Sequence, residues 1–482
     1  MKVFSLSVIL LLSSLHSLGQ SDLQAYLDSI QLDSQFKYSS VFAEVRTLDS
    51  AHSIFSYNGH KAAIPASSLK LVSSLLLLEQ LGPDFRYETV IGYKGNIHSK
   101  GVLSGDLIIK ASGDPSLGSN RFKENNSLQL IMERISNALS ASGIQSIRGD
   151  IILDLSVFDQ EYIHPTWEWG DLGWYYGAGV FAVNINDNEL KIQIDATGNK
   201  GDMAKVLSID PPVPLPVKVE VKVVDETYTE GLEIQTLPES NIFSIYGSLG
   251  KRKKNHTLYA AIPDPPDLFI FHLQKLLDSL NINYSQIRKQ YHEPIDTTGW
   301  SRIVVFRSPP LEELIAQTLK HSLNLYSEVF LKTFSLINGK KATRKNGIEL
   351  IRQRLRDFGF DIGPLNLKDG SGLSAQNLIS PGILAGLLDT LVRTHGVEKF
   401  LPLLPLAGAE GTVKSMLKDT PALGNVWMKS GSISNVLSYT GLCKAKSGTW
   451  CSFSIIFNNS SLERKHQRQK MTEIINIIYE TN

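Results

Sequence analysis

The 482-residue chain has two cysteines, no excess of either charge and, after its N-terminus, no long apolar run. Because 48 basic residues balance 48 acidic ones, nothing in the net charge favours nucleic acid or another polyanion as a partner. No later apolar run is long enough to span a bilayer, so we expect no transmembrane segment. An apolar fraction of 42% with 20% charged residues is typical of an ordinary soluble protein.

The sequence also lacks the short motifs of several rival chemistries. It contains no G-x-S-x-G, no H-E-x-x-H and no G-x-x-x-x-G-K-[ST]. The eleven histidines are scattered, and His321 is expected in solvent or in the core rather than at a reacting group. We therefore expect no metal and no cofactor.

The N-terminus has the pattern of a secretion signal. Lys2 supplies the charge, Val8 to Leu12 form the centre of an apolar stretch, and 17–19 fit a small-residue cleavage site. A signal peptide over 1–19 predicts an exported protein in the periplasm, soluble or loosely associated with the envelope.

A serine and a lysine three residues apart, Ser67 and Lys70, open a long apolar run. Such a pair shares one face only on a helix, and a helix N-terminus suits a nucleophile. The run continues to Leu81 and stops at Gly82, a typical helix end. Three other S-x-x-K matches lie in polar segments or turns, so context singles out the pair at Ser67.

Two short polar clusters downstream complete a constellation for acyl-serine chemistry with a lysine base. They are Ser322-Leu323-Asn324 and Lys429-Ser430-Gly431-Ser432. A lysine acts as a base only when its amine is neutral, which burial and a second nearby cation both promote. Lys429 is expected to be the second cation beside Lys70.

Each remaining member of the constellation has an expected role. Ser322 can pass a proton to a leaving amine, and Asn324 can hold a substrate amide. Lys429, with the hydroxyls of Ser430 and Ser432, can bind a substrate carboxylate. The backbone N–H groups of Ser67 and Ser432 are the expected oxyanion hole.

The three clusters can act together only in one domain that is split along the chain. We expect an α+β fold in which 20–90 and 298–482 form one discontinuous catalytic domain. The β-like segments of 91–297 are an insertion, expected to form two subdomains. Helical periodicity runs from Pro310 through Ser322 to Leu336, and the amphipathic C-terminal helix, 461–479, is expected to pack on a sheet rather than on a membrane.

Cys443 and Cys451 flank a predicted three-residue hairpin loop at 446–448. They would then lie opposite each other on neighbouring strands and project from the same face. Export permits a cross-strand disulfide, although such geometry is often strained, and two buried free thiols are the alternative.

Over most of its length the sequence resembles the class C low-molecular-mass penicillin-binding proteins, a family of D-alanyl-D-alanine carboxypeptidases and endopeptidases. The resemblance lies in segments spread along the chain: 65–70, 81–85, 105–107, 113–115, 149–150, 158–159, 174–178, 369–374, 404–408 and 410–412. The spacing of 255 residues from Ser67 to Ser322 is also typical of the family and too long for a serine β-lactamase. The third cluster departs from the family, since serine replaces threonine at its second position, Ser430.

The resemblance implies a β-lactamase/DD-transpeptidase-like domain, with a five-stranded antiparallel sheet between helices. It implies Ser67 as nucleophile, Lys70 as base, and Ser322, Asn324 and Lys429 in the other catalytic positions. The expected substrates are the D-Ala-D-Ala ends of peptidoglycan stems, and possible D-Ala-diaminoacid cross-links, with β-lactams as acylating inhibitors. Two alternatives stay open: an inactive peptidoglycan-binding protein, and a β-lactamase or esterase of the same fold.

Overall fold

The computed structural model describes residues 22–49, 52–122, 127–225, 231–251, 253–336, 339 and 341–482. The predicted signal peptide, 1–19, lies outside the described residues. The chain divides into two compact units. Unit 1 holds the described residues up to Gly82, Ile315–Leu323 and Ile348–Asn482, and unit 2 holds Pro83–Leu314 and Asn324–Gly347. The domain boundaries expected at 90/91 and 297/298 stay predictions.

Unit 1 is built on a five-stranded antiparallel sheet whose order is β15-β16-β17-β1-β2. The strands are β1 (Ser40–Thr47), β2 (Ser53–Tyr57), β15 (Val426–Ile433), β16 (Val436–Lys444) and β17 (Trp450–Asn458). The helices around it are α1 (22–32), α2 (Lys70–Leu81), α8 (Pro381–His395) and α9 (Arg464–Thr481). This is the five-stranded sheet between helices that the family resemblance implies.

Successive side chains of β17 point to opposite faces of the sheet, and they show which helix packs on each face. Phe453 and Ile455 are fully buried in an apolar core with Met471 and Ile475 of α9. The intervening Ser452 points to the other face, where its hydroxyl donates to the Ala385 carbonyl of α8 (3.0 Å). α9 thus packs on the sheet, as predicted, and the opposite face carries hydroxyl groups.

Unit 2 contains three sheets in its described residues. The largest has the order β13-β6-β4-β3-β14, with β5 paired to β4, and two three-stranded sheets have the orders β10-β11-β9 and β12-β7-β8. The strands are β3 (Glu88–His98), β4 (Val102–Lys110), β5 (Ser146–Ile147), β6 (Ile151–Asp154), β7 (Glu189–Ala196), β8 (Lys205–Asp210), β9 (Lys218–Val224), β10 (Glu233–Thr236), β11 (Phe243–Gly250), β12 (Lys253–Ala261), β13 (Ile287–Gln290) and β14 (Ser301–Arg307). Its helices are α3 (Leu128–Ala141), α4 (Pro265–Ser279) and α6 (Asn324–Leu336). The β-rich character expected of the insertion is therefore present.

The helical region after Pro310 differs from the sequence prediction. Instead of one helix through Ser322, there are α5 (Leu311–His321) and α6, separated by Ser322 in a left-handed conformation (φ +60°). The division between the units falls in α5 and again in α7 (Arg344–Asp357). Apolar periodicity continues across the break, so the pattern of side chains did not reveal it. Among the described residues, no helix is both long and apolar enough to cross a membrane.

The hairpin between β16 and β17 has the expected register, with Cys443 directly opposite Cys451. Both side chains are fully buried, and both are free thiols, as in the second alternative above. Burial raises the thiol pKa of both residues, to about 12 for Cys451.

Candidate active site

Ser67 lies in a 3-10 turn, Ala66–Leu69, that leads directly into α2. The preceding Ala66 has a positive φ of 46°, a costly conformation for a residue with a side chain. Two buried hydroxyls hold this turn to the sheet: Ser438 Oγ donates to the Pro65 carbonyl (2.6 Å) and is bonded to Ser68 Oγ (2.8 Å). Neighbouring structure thus fixes the strained backbone that presents Ser67.

Lys70, the first residue of α2, lies against the Ser67 hydroxyl. Its Nζ is 2.8 Å from Ser67 Oγ and 2.6 Å from the carbonyl oxygen of Ser371. The Lys70 side chain is fully buried. The structure therefore brings the two residues of the S-x-x-K pair into contact, with the amine within reach of the hydroxyl proton.

Lys429 projects from edge strand β15 and is also fully buried. Its Nζ donates to Ser322 Oγ (2.9 Å) and to the carbonyl oxygen of Ser430. Burial, and secondly the positive charge of Lys70, hold the pKa of Lys429 well below its usual range. The two lysines are therefore close enough for their charges to interact, as the sequence predicts.

Strand β15 meets the Ala66–Leu69 turn at a glycine. A Cβ on Gly431 would lie 2.6 Å from the Pro65 carbonyl oxygen and 2.8 Å from the Ser68 nitrogen, so no side chain fits there. Beside it, the Ser430 hydroxyl is bonded to Thr412 Oγ1 (2.7 Å), while Ser432 is exposed. The close approach explains why glycine separates the two serines.

Asn324 is the first residue of α6 and belongs to unit 2. Its side-chain amide donates to the Tyr176 carbonyl (2.7 Å), also in unit 2. Tyr176 lies in the 174–178 segment noted in the sequence, but its carbonyl contact with Asn324 has no sequence signature.

Two contributors to the site in unit 1 were not assigned from the sequence. One is the Ser371 carbonyl that accepts from Lys70, and the other is the Thr412 hydroxyl that binds Ser430. Both lie in segments, 369–374 and 410–412, that carry the family resemblance. The family resemblance of these two segments could have indicated that they lie at the site, although it did not indicate which of their atoms makes the contact.

Unit 1 therefore combines a serine hydroxyl, an adjacent buried amine, and a second buried amine bonded to another serine. A hydroxyl whose proton can move to a neighbouring neutral amine can serve as a nucleophile. The arrangement suits covalent acyl transfer with lysine as the proton acceptor.

Comparison with known proteins agrees with this chemistry. Residues 23–478 match the D-Ala-D-Ala carboxypeptidase 3 (S13) family, and the chain belongs to that family. The D-alanyl-D-alanine carboxypeptidase DacB of Haemophilus influenzae is 26% identical over 435 residues, which cover 88% of this chain and 87% of that protein. The D-alanyl-D-alanine carboxypeptidase of Actinomadura sp. (strain R39) is 24% identical, covering 85% of this chain and 76% of its own.

Solved structures show the same fold. Penicillin-binding protein 4 (dacB) of Haemophilus influenzae superposes with a TM-score of 0.82 at 24% identity, covering 95% of this chain and 99% of that one. Its complex with a β-lactam superposes with a TM-score of 0.77 over the same shares. The fold class and the family expected from the sequence are confirmed, and the enzyme class, a serine-type D-Ala-D-Ala carboxypeptidase, is that of the family.

Proposed function

We propose that this chain cleaves the terminal D-Ala-D-Ala bond of peptidoglycan stem peptides through an acyl-serine intermediate at Ser67. The observation that carries the proposal is the 2.8 Å contact between Lys70 Nζ and Ser67 Oγ, made by an amine that is fully buried. Ser67 Oγ attacks the carbonyl carbon of the penultimate D-Ala as Lys70 takes the hydroxyl proton. The backbone N–H groups of Ser67 and Ser432 stabilise the resulting oxyanion.

Collapse of the tetrahedral intermediate breaks the C–N bond and needs a proton on the leaving nitrogen. Ser322 relays the proton that Lys70 took from Ser67: its hydroxyl gives a proton to the leaving nitrogen and takes one from Lys70, which becomes neutral again. Ser322 Oγ is also hydrogen-bonded to Lys429 Nζ. Asn324 holds the amide of the substrate. Water then attacks the ester carbonyl, a proton returns to Ser67, and the shortened peptide is released.

The leaving D-Ala carries a carboxylate, and the residues around β15 suit its recognition. Lys429 places a positive charge there, and Ser430 and Ser432 provide hydroxyl groups. Burial lowers the pKa of Lys429, whereas a carboxylate bound beside its amine favours the charged form. Substrate binding would therefore raise the affinity of the site for a proton.

β-lactams are proposed to acylate the same Ser67, since they too present a carbonyl carbon near a carboxylate. The Haemophilus influenzae relative has been solved with a bound β-lactam. The signal-like segment 1–19 and the wall-peptide substrate support action in the periplasm. Cleavage of D-Ala-diaminoacid cross-links is part of the proposal, because it requires the same bond chemistry.

The test is intact mass after mixing with benzylpenicillin, with Ser67→Ala beside the wild type. A long-lived adduct of one penicillin that is absent from Ser67→Ala is the expected result. Rapid loss of the drug without an adduct would instead identify a β-lactamase. If neither adduct nor drug loss appears, and a D-Ala-D-Ala peptide is also not hydrolysed, the proposal fails in favour of an inactive wall-binding protein.

A further inference from the structure

The 369–377 loop of unit 1 is organised around a buried carboxylate. Asp369 is fully buried, and its Oδ1 accepts from the Gly372 N–H (2.8 Å) and from Asn377 Nδ2 (2.8 Å). Its Oδ2 accepts from the Ser374 N–H (2.7 Å). Several charge-assisted hydrogen bonds to one side chain fix the path of the loop backbone closely.

That loop touches the reacting residues through backbone atoms. The Ser371 carbonyl accepts from Lys70 Nζ (2.6 Å), and the Gly370 carbonyl accepts from the Ser73 hydroxyl (3.0 Å), one turn further along α2. A Cβ on Gly372 would lie 1.9 Å from the Ala66 carbonyl oxygen, so the loop is packed directly against the residue before Ser67.

The Ser371 carbonyl sets the direction of the Lys70 amine. A neutral amine has two N–H bonds and one lone pair. When one N–H bond is held by a fixed carbonyl, fewer orientations remain for the lone pair, and Ser67 Oγ is 2.8 Å away. A carbonyl also stabilises the protonated amine, since hydrogen bonds from a charged donor are stronger than those from a neutral one.

We propose that Asp369 is a positioning residue for the acylation step: it fixes the Ser371 carbonyl, which orients the Lys70 amine toward Ser67. The inference rests on the proposed function of Ser67 and Lys70. Asp369 acts through the loop, because its hydrogen bonds to Gly372, Ser374 and Asn377 set the loop backbone. Its loss should slow the chemical step while leaving substrate binding intact.

The test compares Asp369→Asn with the wild type. In the wild type each carboxylate oxygen of Asp369 accepts from a backbone N–H. In the variant the amide nitrogen replaces one of these oxygens, so at least one hydrogen bond is lost and two donors face each other. The matched control is Asp361→Asn, an exposed carboxylate in another turn of unit 1 that accepts from the Gly363 N–H (2.9 Å). Folding of each variant is checked by urea unfolding.

The rate constant of acylation by benzylpenicillin is measured as a function of pH, with kcat and KM for a D-Ala-D-Ala peptide. In Asp369→Asn we expect acylation to be about 100-fold slower, as for a small misplacement of a reacting group. The fall should appear in kcat rather than in KM. The acidic limb of the pH–rate profile should move to lower pH, because the protonated amine loses its carbonyl acceptor.

A purely structural role would lower the fraction of active molecules without moving the acidic limb. A folded Asp369→Asn with acylation within about threefold of wild type and an unmoved acidic limb overturns the inference. If Asp369→Asn does not fold, Asn377→Ala decides by the same criteria, because it removes one of the bonds to the carboxylate. Should the wild type itself neither form an adduct nor hydrolyse the D-Ala-D-Ala peptide, the proposed function fails rather than the role of Asp369.

Discussion

Buried cations occur in both units, but their surroundings differ. In unit 1, Lys70 and Lys429 contact hydroxyl and carbonyl oxygens. In unit 2, Lys332, of which 1% is exposed, lies 2.7 Å from the carboxylate of Asp159. Arg344, a buried cation that is also in unit 2, forms ion pairs with the carboxylates of Glu161 and Glu328.

Burial lowers the pKa of Lys332 and of Lys429 alike, because both lose solvation of the charged form. Each lysine also has a neighbouring cation that adds to that effect, Arg344 at Lys332 and Lys70 at Lys429. At Lys332 the carboxylates of Asp159 and Glu161 oppose it, whereas the causes of the shift at Lys429 are burial and the charge of Lys70 alone. The two sites therefore differ in the carboxylates that lie beside Lys332, rather than in burial or in the presence of a second cation.

Replacing Lys70 should produce the largest effect on chemistry. Lys70→Met removes the proposed proton acceptor, and we expect acylation by benzylpenicillin to slow by about 10²–10⁴-fold, the usual contribution of a general base. Lys332→Met, the buried lysine of unit 2, is the matched control and should lose stability but not the acylation rate per folded molecule. Equal acylation losses in both variants would remove the distinction between the units.

The largest effect on stability is expected when the buried ion pair between Arg344 and Glu328 in unit 2 is broken. Glu328→Gln takes the charge from the buried partner of Arg344 (3.1 Å), and we expect a loss of about 3–5 kcal/mol in the free energy of unfolding by urea. The control is Glu220→Gln, in an exposed pair with Lys218 (2.9 Å), for which the loss should stay below about 1 kcal/mol. Similar losses in the two variants would mean that burial does not govern these pairs.

Lys429→Met should raise the free energy of unfolding by about 1–2 kcal/mol near neutral pH. The same change should abolish substrate recognition. In the wild type the folded-state pKa of Lys429 is lowered, so the unfolded chain binds the extra proton and stability rises with pH through the window between the folded and unfolded pKa values. The advantage of Lys429→Met should therefore shrink as the pH approaches about 10.4, the ordinary lysine value.

Urea unfolding at pH 7 and pH 10 measures this difference, with Lys218→Met at an exposed lysine as the control. A Lys429→Met protein that is less stable than wild type by the same amount at both pH values would show that the buried amine is stabilising instead.

The smallest effect is expected at the two buried cysteines, whose charged form is an anion rather than a cation. For the thiols of Cys443 and Cys451, burial raises the pKa, so the reactive thiolate is scarce. We expect no labelling by a thiol reagent at pH 8 in the folded protein and two thiols per chain in denaturant without reductant. Absence of thiols in the denatured protein would establish the disulfide instead.

The sequence was sufficient to select side chains that the structure brings into contact, and insufficient where backbone atoms make the contact. Ser67, Lys70 and Lys429 could be selected because the predicted chemistry requires particular side chains at particular spacings, and their catalytic roles stay predictions. The break at Ser322 could not be predicted, since its positive φ occurs without a glycine or asparagine to indicate it. The Ser371 carbonyl could not either, because every residue carries one and only the folded loop decides which carbonyl meets Lys70.

Fold class was predictable because the strand patterns at both ends of the chain had to form one sheet. The helix over α2 and its end at Gly82 also followed from local sequence. The short sheets of unit 2 were only outlined, because strand order depends on contacts between distant segments. Side-chain patterns alone do not specify such pairings.

The placement of β1 beside β17 has a consequence for biosynthesis. The N–H of Ile64, just before the Ala66–Leu69 turn, donates to the side chain of Asn458, 394 residues later in the chain. Ser67 is therefore translated long before β17, the strand that ends at Asn458 and anchors its turn. A ribosome-bound or truncated chain without β17 lacks this anchor, so the turn that holds Ser67 takes its final form only after β17 has been translated.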